Sequence, residues 1–209
     1  MNTLTLILTI IIGLFAAFML FWKFIFLRNP NRTAPKGNNI VSACDGTVID
    51  IVEFDGKKEA TFFKGNKRYL GIVKTLTKDV SKQGYIVSVF MTPLNVHYNR
   101  SPMEGKVLSV KHSNGKLLAV NTLQNGLVNE KTETIIEGKI KIKVIQIAGF
   151  IARRIETFVK KGKNVKKGEV IGLINLGSQV TLILPKTVKI SVKKGDKVRA
   201  GETIIAEIK

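Results

Sequence analysis

The chain has 209 residues, 44% of them apolar, and carries 34 Lys and Arg against 15 Asp and Glu, a net charge of +19. That length and apolar content predict one or at most two domains with a real core, and the charge predicts attraction to nucleic acid or to anionic lipid. The single cysteine, Cys44, excludes an intramolecular disulfide and reads as a small buried residue in a reducing compartment.

From Leu4 to Trp22 there is no charged side chain, and Thr5 and Thr9 are the polar interruptions. A helix of that length spans roughly 28 Å, close to a hydrocarbon core, so the segment is read as a membrane span. No basic side chain precedes it and no small-x-small site follows, which argues against a cleaved secretory signal. Lys23, Arg28, Arg32 and Lys36 all follow the span, which places the body of the protein in the cytoplasm, with Trp22 at the interface. Each basic residue near an anionic leaflet contributes about 1 kcal/mol to holding the body against the cell membrane.

The body reads as mostly β. Runs rich in Val, Ile and Thr, broken by Gly, Asn, Asp and Lys, predict strands over 46–54, 84–91, 105–110, 139–147 and 169–174. Between Lys139 and Val144 alternation puts the lysines on one, solvated, side. Residues 145–158 read equally as a short helix or a bent strand. Basic residues are not interleaved with aromatic ones, and no zinc or helix-turn-helix pattern occurs, so lipid is favoured over nucleic acid.

Near the C-terminus, Val159-Lys-Lys-Gly-x-x-Val165-x-x-Gly168-Glu169-x-Ile171 recurs 33 residues later as Val192-Lys-Lys-Gly-x-x-Val198-x-x-Gly201-Glu202-x-Ile204. The repeat predicts two similar hairpins packed with approximate two-fold symmetry. It resembles the flattened β-sandwich of biotinyl and lipoyl domains. A carrier lysine is missing from the connecting stretch, where Leu176-Gly177-Ser178 stands instead. The expected architecture is therefore mainly β, a sandwich or barrel-like body with lipoyl-like hairpin repeats (28–209) after one transmembrane helix (1–27).

A Gly-Ser bond in a β-like run can be a self-cleavage point, with the Ser178 hydroxyl attacking the Gly177 carbonyl, although most Gly-Ser pairs only make turns. Gly177 removes bulk and permits a strained turn there. Such an attack needs a base and donors to the oxyanion. His97 is the candidate base, one of two histidines in the chain, and Asp45 a candidate to orient or charge-balance it. Taken alone, Asp45-Gly46 is a turn and a lone histidine is structural. His112, in a Lys-His-Ser-Asn-Gly stretch, reads as exposed and uninvolved.

Further segments carry a resemblance in order along the chain: Phe26-Leu27-Arg28-Asn29-Pro30-Asn31-Arg32, Ala43-Cys44-Asp45-Gly46-Thr47-Val48, Asn95-Val96-His97-Tyr98-Asn99-Arg100-Ser101-Pro102, Asn129-Glu130-Lys131, and 146–154 before Leu176-Gly177-Ser178. Together they resemble phosphatidylserine decarboxylase proenzymes of the short bacterial and archaeal type, which includes archaetidylserine decarboxylases. The resemblance implies self-cleavage into a β fragment, 1–177, and an α fragment, 178–209, that stay packed together. It also implies a pyruvoyl group made from Ser178, which forms a Schiff base with the substrate amine, with no metal or diffusible cofactor. The implied substrate is an anionic membrane lipid, diacyl phosphatidylserine or ether-linked archaetidylserine, converted to its ethanolamine form; homo-oligomerisation is left open.

The sequence departs from many relatives at two places. Arg100 stands where they have a second histidine, so His97 is assigned both self-cleavage and decarboxylation, and Arg100 becomes a candidate for a substrate carboxylate or phosphate, or else a structural ion pair. Gln179 replaces the Thr after the cleavage serine, a change expected to be tolerated. The rival reading is a membrane-tethered lipid-binding or adaptor protein without catalysis. Such adaptors add heptad-bearing helices and sit outside the cytoplasm, and they give no reason for Ser178 with His97 and Asp45.

Overall fold

The computed structural model describes residues 2–55, 75–116, 118–120, 122–149, 154–175 and 178–209. Leu176, Gly177 and Arg153 lie outside the described residues. Helix α1, Thr3–Leu20, starts at Asn2, whose side chain accepts the Thr5 N–H at 2.8 Å. It runs on into a π-helical turn, Phe21–Phe26, giving one segment of 24 residues long and apolar enough to cross a membrane. No side chain of α1 is buried by the body, as suits a helix solvated by lipid. The wider π turn, closed by the Leu27 N–H on the Trp22 carbonyl at 2.9 Å, brings Phe26 round to become the one buried residue of that turn.

Residues 27–38 then form a strap along the body. The Arg100 guanidinium donates to the Asn29 side chain (2.6 Å) and the Pro30 carbonyl (3.0 Å), Arg32 pairs with Asp45 and Glu202, and Lys167 donates to the Gly37 carbonyl (2.9 Å).

Among the described residues, fourteen strands follow: β1 (Asn39–Val41), β2 (Gly46–Asp55), β3 (Gln83–Met91), β4 (Tyr98–Arg100), β5 (Gly105–Ser113), β6 (Lys131–Glu137), β7 (Lys141–Ala148), β8 (Ile155–Thr157), β9 (Asn164–Val165), β10 (Val170–Ile174), β11 (Ser178–Pro185), β12 (Val188–Ile190), β13 (Lys197–Val198) and β14 (Ile204–Ile208). A short helix, α2 (Leu123–Val128), is capped by the Thr122 hydroxyl. The body is mainly β. Its large sheet, in the order β13-β2-β3-β11-β7-β6-β5-β9, curls into a half-barrel, and two three-stranded sheets, β1-β14-β12 and β4-β10-β8, complete it.

β11 lies at the centre, paired antiparallel with β3 from Ser178↔Met91 to Pro185↔Gly84 and with β7 from Ser178↔Ala148 to Ile183↔Lys143. Both faces of these strands are covered. Val89, Val144, Val180 and Leu182 fill the larger core, while Ile86, Ile145, Ile147 and Ile183 pack under Leu123 of α2. Double burial is why these strands read as near-continuous apolar runs.

Lys143 corrects the expected solvated lysine face. Its side chain is 1% exposed, bonded to Glu133 (3.0 Å) and Asp79 (3.3 Å). β7 is covered on both sides, so alternation there does not mean exposure. Of residues 145–158, the described part holds the end of β7 and then β8, with Gly149, Arg154 and Phe158 outside the strands and no helix among the described residues.

The repeat is larger than its C-terminal halves. Ser42-Ala-Cys-Asp-Gly-Thr-Val48 and Ser101-Pro-Met-Glu-Gly-Lys-Val107 occupy equivalent places. Gly195 donates to the Val48 carbonyl as Gly162 does to Val107, and Gly201 donates to Ser42 as Gly168 does to Ser101, all at 2.8 Å. The units therefore share one course, but each is not a hairpin. β9 pairs with β5 and β13 with β2, whereas β10 and β14 are the middle strands of the small sheets. Gly168 (φ +80°) and Gly201 (φ +75°) take the left-handed turn that sends each second strand across to the other sheet, away from its predecessor.

Candidate active site

Ser178 opens β11 and is fully buried, with its Oγ 3.2 Å from the Met91 sulfur. A thioether is a weak acceptor, so the hydroxyl has no strong partner among the described residues.

His97 reaches this end of the sheet from a turn. Asn95 Oδ1 accepts the Thr92 N–H (2.8 Å) and hydroxyl (2.9 Å), which closes the turn, and the Asn95 carbonyl then lies 2.9 Å from His97 Nδ1. A carbonyl can only accept, so Nδ1 carries the proton and Nε2 is left as the acceptor. Nε2 is buried and has no partner among the described residues. The ring lies against Phe26, centroids 4.1 Å apart. Burial lowers the imidazole pKa to about 4; the Arg28 charge acts in the same direction, against the Asn95 bond and the Asp45 charge. His97 is thus a neutral base. Its carbonyl accepts the Ile174 N–H (3.3 Å), four residues before Ser178, so β10 ties the histidine strand to the chain entering β11.

Asp45 is buried, with Oδ2 2.9 Å from Arg32 and Oδ1 accepting the Ala200 N–H at 2.8 Å. Its effect on His97 is through charge. Arg100 spends three bonds on neutral partners, the Gly168 carbonyl (2.9 Å), Asn29 and Pro30. His112 sits in β5, half exposed, with Nδ1 3.1 Å from the Thr132 hydroxyl.

Several amide side chains around Ser178 escape a reading of the sequence. Gln146 donates to Asn99 (2.7 Å), whose own N–H faces the Met91 sulfur at 3.8 Å, and Gln146 Oε1 has no partner among the described residues. Asn129 donates to the Leu118 and Ala148 carbonyls, both at 2.8 Å, clamping the strand end opposite Ser178. Gln179, oriented to satisfy its neighbours, donates to Val120 (3.1 Å) and Thr122 (3.2 Å) and accepts from Thr181 (3.0 Å). That accounts for the departure at this position: the longer amide spans to the segment leading into α2.

Comparison with known proteins fits this arrangement. The sequence profile of the family described as Phosphatidylserine decarboxylase matches residues 19–206. A Methanocaldococcus jannaschii protein provisionally named an archaetidylserine decarboxylase proenzyme is 38% identical over 190 residues, 90% of each chain. Phosphatidylserine decarboxylase proenzymes of Carboxydothermus hydrogenoformans and Pelodictyon phaeoclathratiforme are 36% and 38% identical, over 95% and 87% of this chain and 85% and 76% of theirs. The protein is therefore a carboxy-lyase. It belongs to the phosphatidylserine decarboxylase family, as a decarboxylase proenzyme.

Proposed function

We propose that the protein cleaves itself between Gly177 and Ser178, carries a pyruvoyl group at position 178, and decarboxylates a membrane-resident serine phospholipid, phosphatidylserine or archaetidylserine, on the cytoplasmic side of the cell membrane. The observation that carries this reading is a histidine whose Nε2 is buried and without a partner among the described residues, in the turn that follows the strand paired with the fully buried Ser178. An orphaned acceptor of that kind costs about 1–3 kcal/mol and is retained where chemistry uses it.

His97 Nε2 takes the Ser178 proton as Oγ attacks the Gly177 carbonyl carbon. The Gly177 carbonyl becomes an ester on Oγ and the amide nitrogen, reprotonated, is released as the amine of Ser178. Loss of the α-proton and of the Gly177 carboxylate leaves dehydroalanine, which water converts to the pyruvoyl group with release of ammonia. The residues around position 178 fit that small planar group: Ser178 is fully buried, and the Asn99 amide N–H, which faces the same Met91 sulfur as Ser178 Oγ, is a donor that a carbonyl there would take. When present, the group supplies a carbonyl that condenses with the substrate amine and accepts electrons as carbon dioxide leaves. His97 then holds the proton returned to the substrate carbon. Asp45 keeps a negative charge near the imidazole as it takes a proton. Arg100 remains the candidate for the substrate anion, through the Nε–H that its three bonds do not use.

Membrane association is supported by the apolar segment Thr3–Phe26, and the basic residues after it support a cytoplasmic body. Intact mass of the purified protein beside Ser178→Ala tests the chemistry. Two fragments split before position 178 in the wild type alone, the smaller with an N-terminal pyruvoyl, are expected; an uncut wild-type chain that is folded and membrane-bound would sink the mechanism. Supplying both lipids in separate vesicles then identifies the backbone it accepts.

A further inference from the structure

We propose that the exit of the membrane helix is a working wall of the active site, with Phe26 and Arg28 as positioning residues that hold the His97 imidazole from two sides. This rests on the reading of His97 as the base.

The first hold is a ring column. Phe18 and Trp22 have centroids 6.0 Å apart, Trp22 stacks on Phe26 at 4.5 Å and 11°, and Phe26 meets His97 at 4.1 Å. Lipid-facing aromatic residues would be expected to point outward. This column instead turns inward at its last member, because the π-helical turn delivers Phe26 onto the body. Phe26 is 0% exposed and Phe24 64%, so the turn separates one docked ring from its lipid-facing neighbour.

The second hold is a tether. The Arg28 guanidinium donates to the Ile25 carbonyl, at the end of the span, and to the Leu94 carbonyl, each at 2.5 Å. Leu94 precedes Asn95, whose carbonyl fixes the His97 tautomer. One arginine thus joins the helix end to the turn that decides which ring nitrogen is free. The charges that act on the imidazole are Arg28 on the strap and Asp45 between β1 and β2; β10 contributes the Ile174 N–H to the His97 backbone. The spanning segment does more than tether: a body parted from it loses one face of the ring's enclosure and the support of its turn.

The test uses the full chain in lipid nanodiscs with carbon-13-labelled histidine. With two histidines in the sequence, His112→Asn assigns both signals, and the His112 signal reports whether the body stays folded. Wild-type His97 is expected to titrate near pH 4. Phe26→Ala should move its midpoint up toward about 6.5 and slow self-cleavage roughly 100-fold, while Phe26→Leu, which refills the volume with apolar atoms, should restore most of both. Arg28→Met should also raise the midpoint and mix the two neutral tautomers, read from the ring nitrogen shifts. A folded Phe26→Ala protein whose His97 titrates as in wild type would overturn the proposal. A shifted midpoint with unchanged cleavage would uphold the hold on the ring and refute His97 as the base.

Discussion

A neutral imidazole enclosed by the fold makes stability depend on pH in a defined direction. Above about pH 6.5 His97 is neutral in both the folded and unfolded chain and contributes no pH dependence. Below that, the unfolded chain takes up a proton that the folded one, with a pKa near 4, refuses, so stability falls as the pH falls through this window. At about 1.4 kcal/mol per pH unit the loss approaches 3 kcal/mol by pH 4. Denaturation midpoints of Ser178→Ala and Ser178→Ala/His97→Gln, followed from pH 7 to 4, should differ by a slope of that sign. Asp45 offers a second check. Asp45→Asn should keep the Ala200 contact but leave the buried Arg32 guanidinium with Glu202 at 3.1 Å as its remaining charge partner, lowering stability by about 1–2 kcal/mol in the same assay. His97, Asp45 and Ser178 became candidates in the sequence through the ordered motifs that hold them, since taken alone they read as turn or structural residues. Asn99, Gln146 and Asn129 lie in those motifs too but were given no role, because a buried amide gains meaning only from the neighbour it bonds, and that neighbour is far away in sequence.

Strands whose both faces are covered hide their charges. Lys143 is the clearest case, since its alternation with Lys141 suggested solvent and its neighbours supply Glu133 instead. Lys143→Met should cost about 2–3 kcal/mol, by leaving the Glu133 carboxylate largely buried without its 3.0 Å partner and with only the charge of Lys131 near it, and adding Glu133→Gln should recover most of it; thermal melts of the two variants decide. β2, β3, β5, β7 and β10 were readable in the sequence with their ends displaced by up to a few residues, because β-branched runs bounded by Gly and Lys leave few alternatives, whereas β6, Lys131–Glu137, was not among the expected strands. Helix α2 was not readable. It has six residues, one of them Gly126, and is set in place by Thr122 and by its packing on Gln179, which no local propensity encodes.

At the scale of the whole chain, the repeat was half legible. The 33-residue offset stands out through its shared Val, Lys and Gly, whereas Ser42–Val48 and Ser101–Val107 share only Ser, Gly and Val, and their kinship emerges from matching backbone bonds. The strap, too, is a tertiary object, since its arginine contacts join residues up to 170 positions apart. Arg100→Lys removes the planar fork that grips Asn29, Pro30 and Gly168, and should open residues 27–38 to limited proteolysis at least several-fold faster. β11 carries a different consequence. Its first residue is Ser178, and it is hydrogen-bonded on both sides along its length. The proposed cut would turn the innermost strand into a separate molecule without giving it a way out, and the small fragment would be a permanent hostage of the large one. Two mature samples with different isotope labels, mixed and incubated in membranes, should therefore never trade their small fragments, and any hybrid seen by mass would mean that the sheet opens wholesale after maturation.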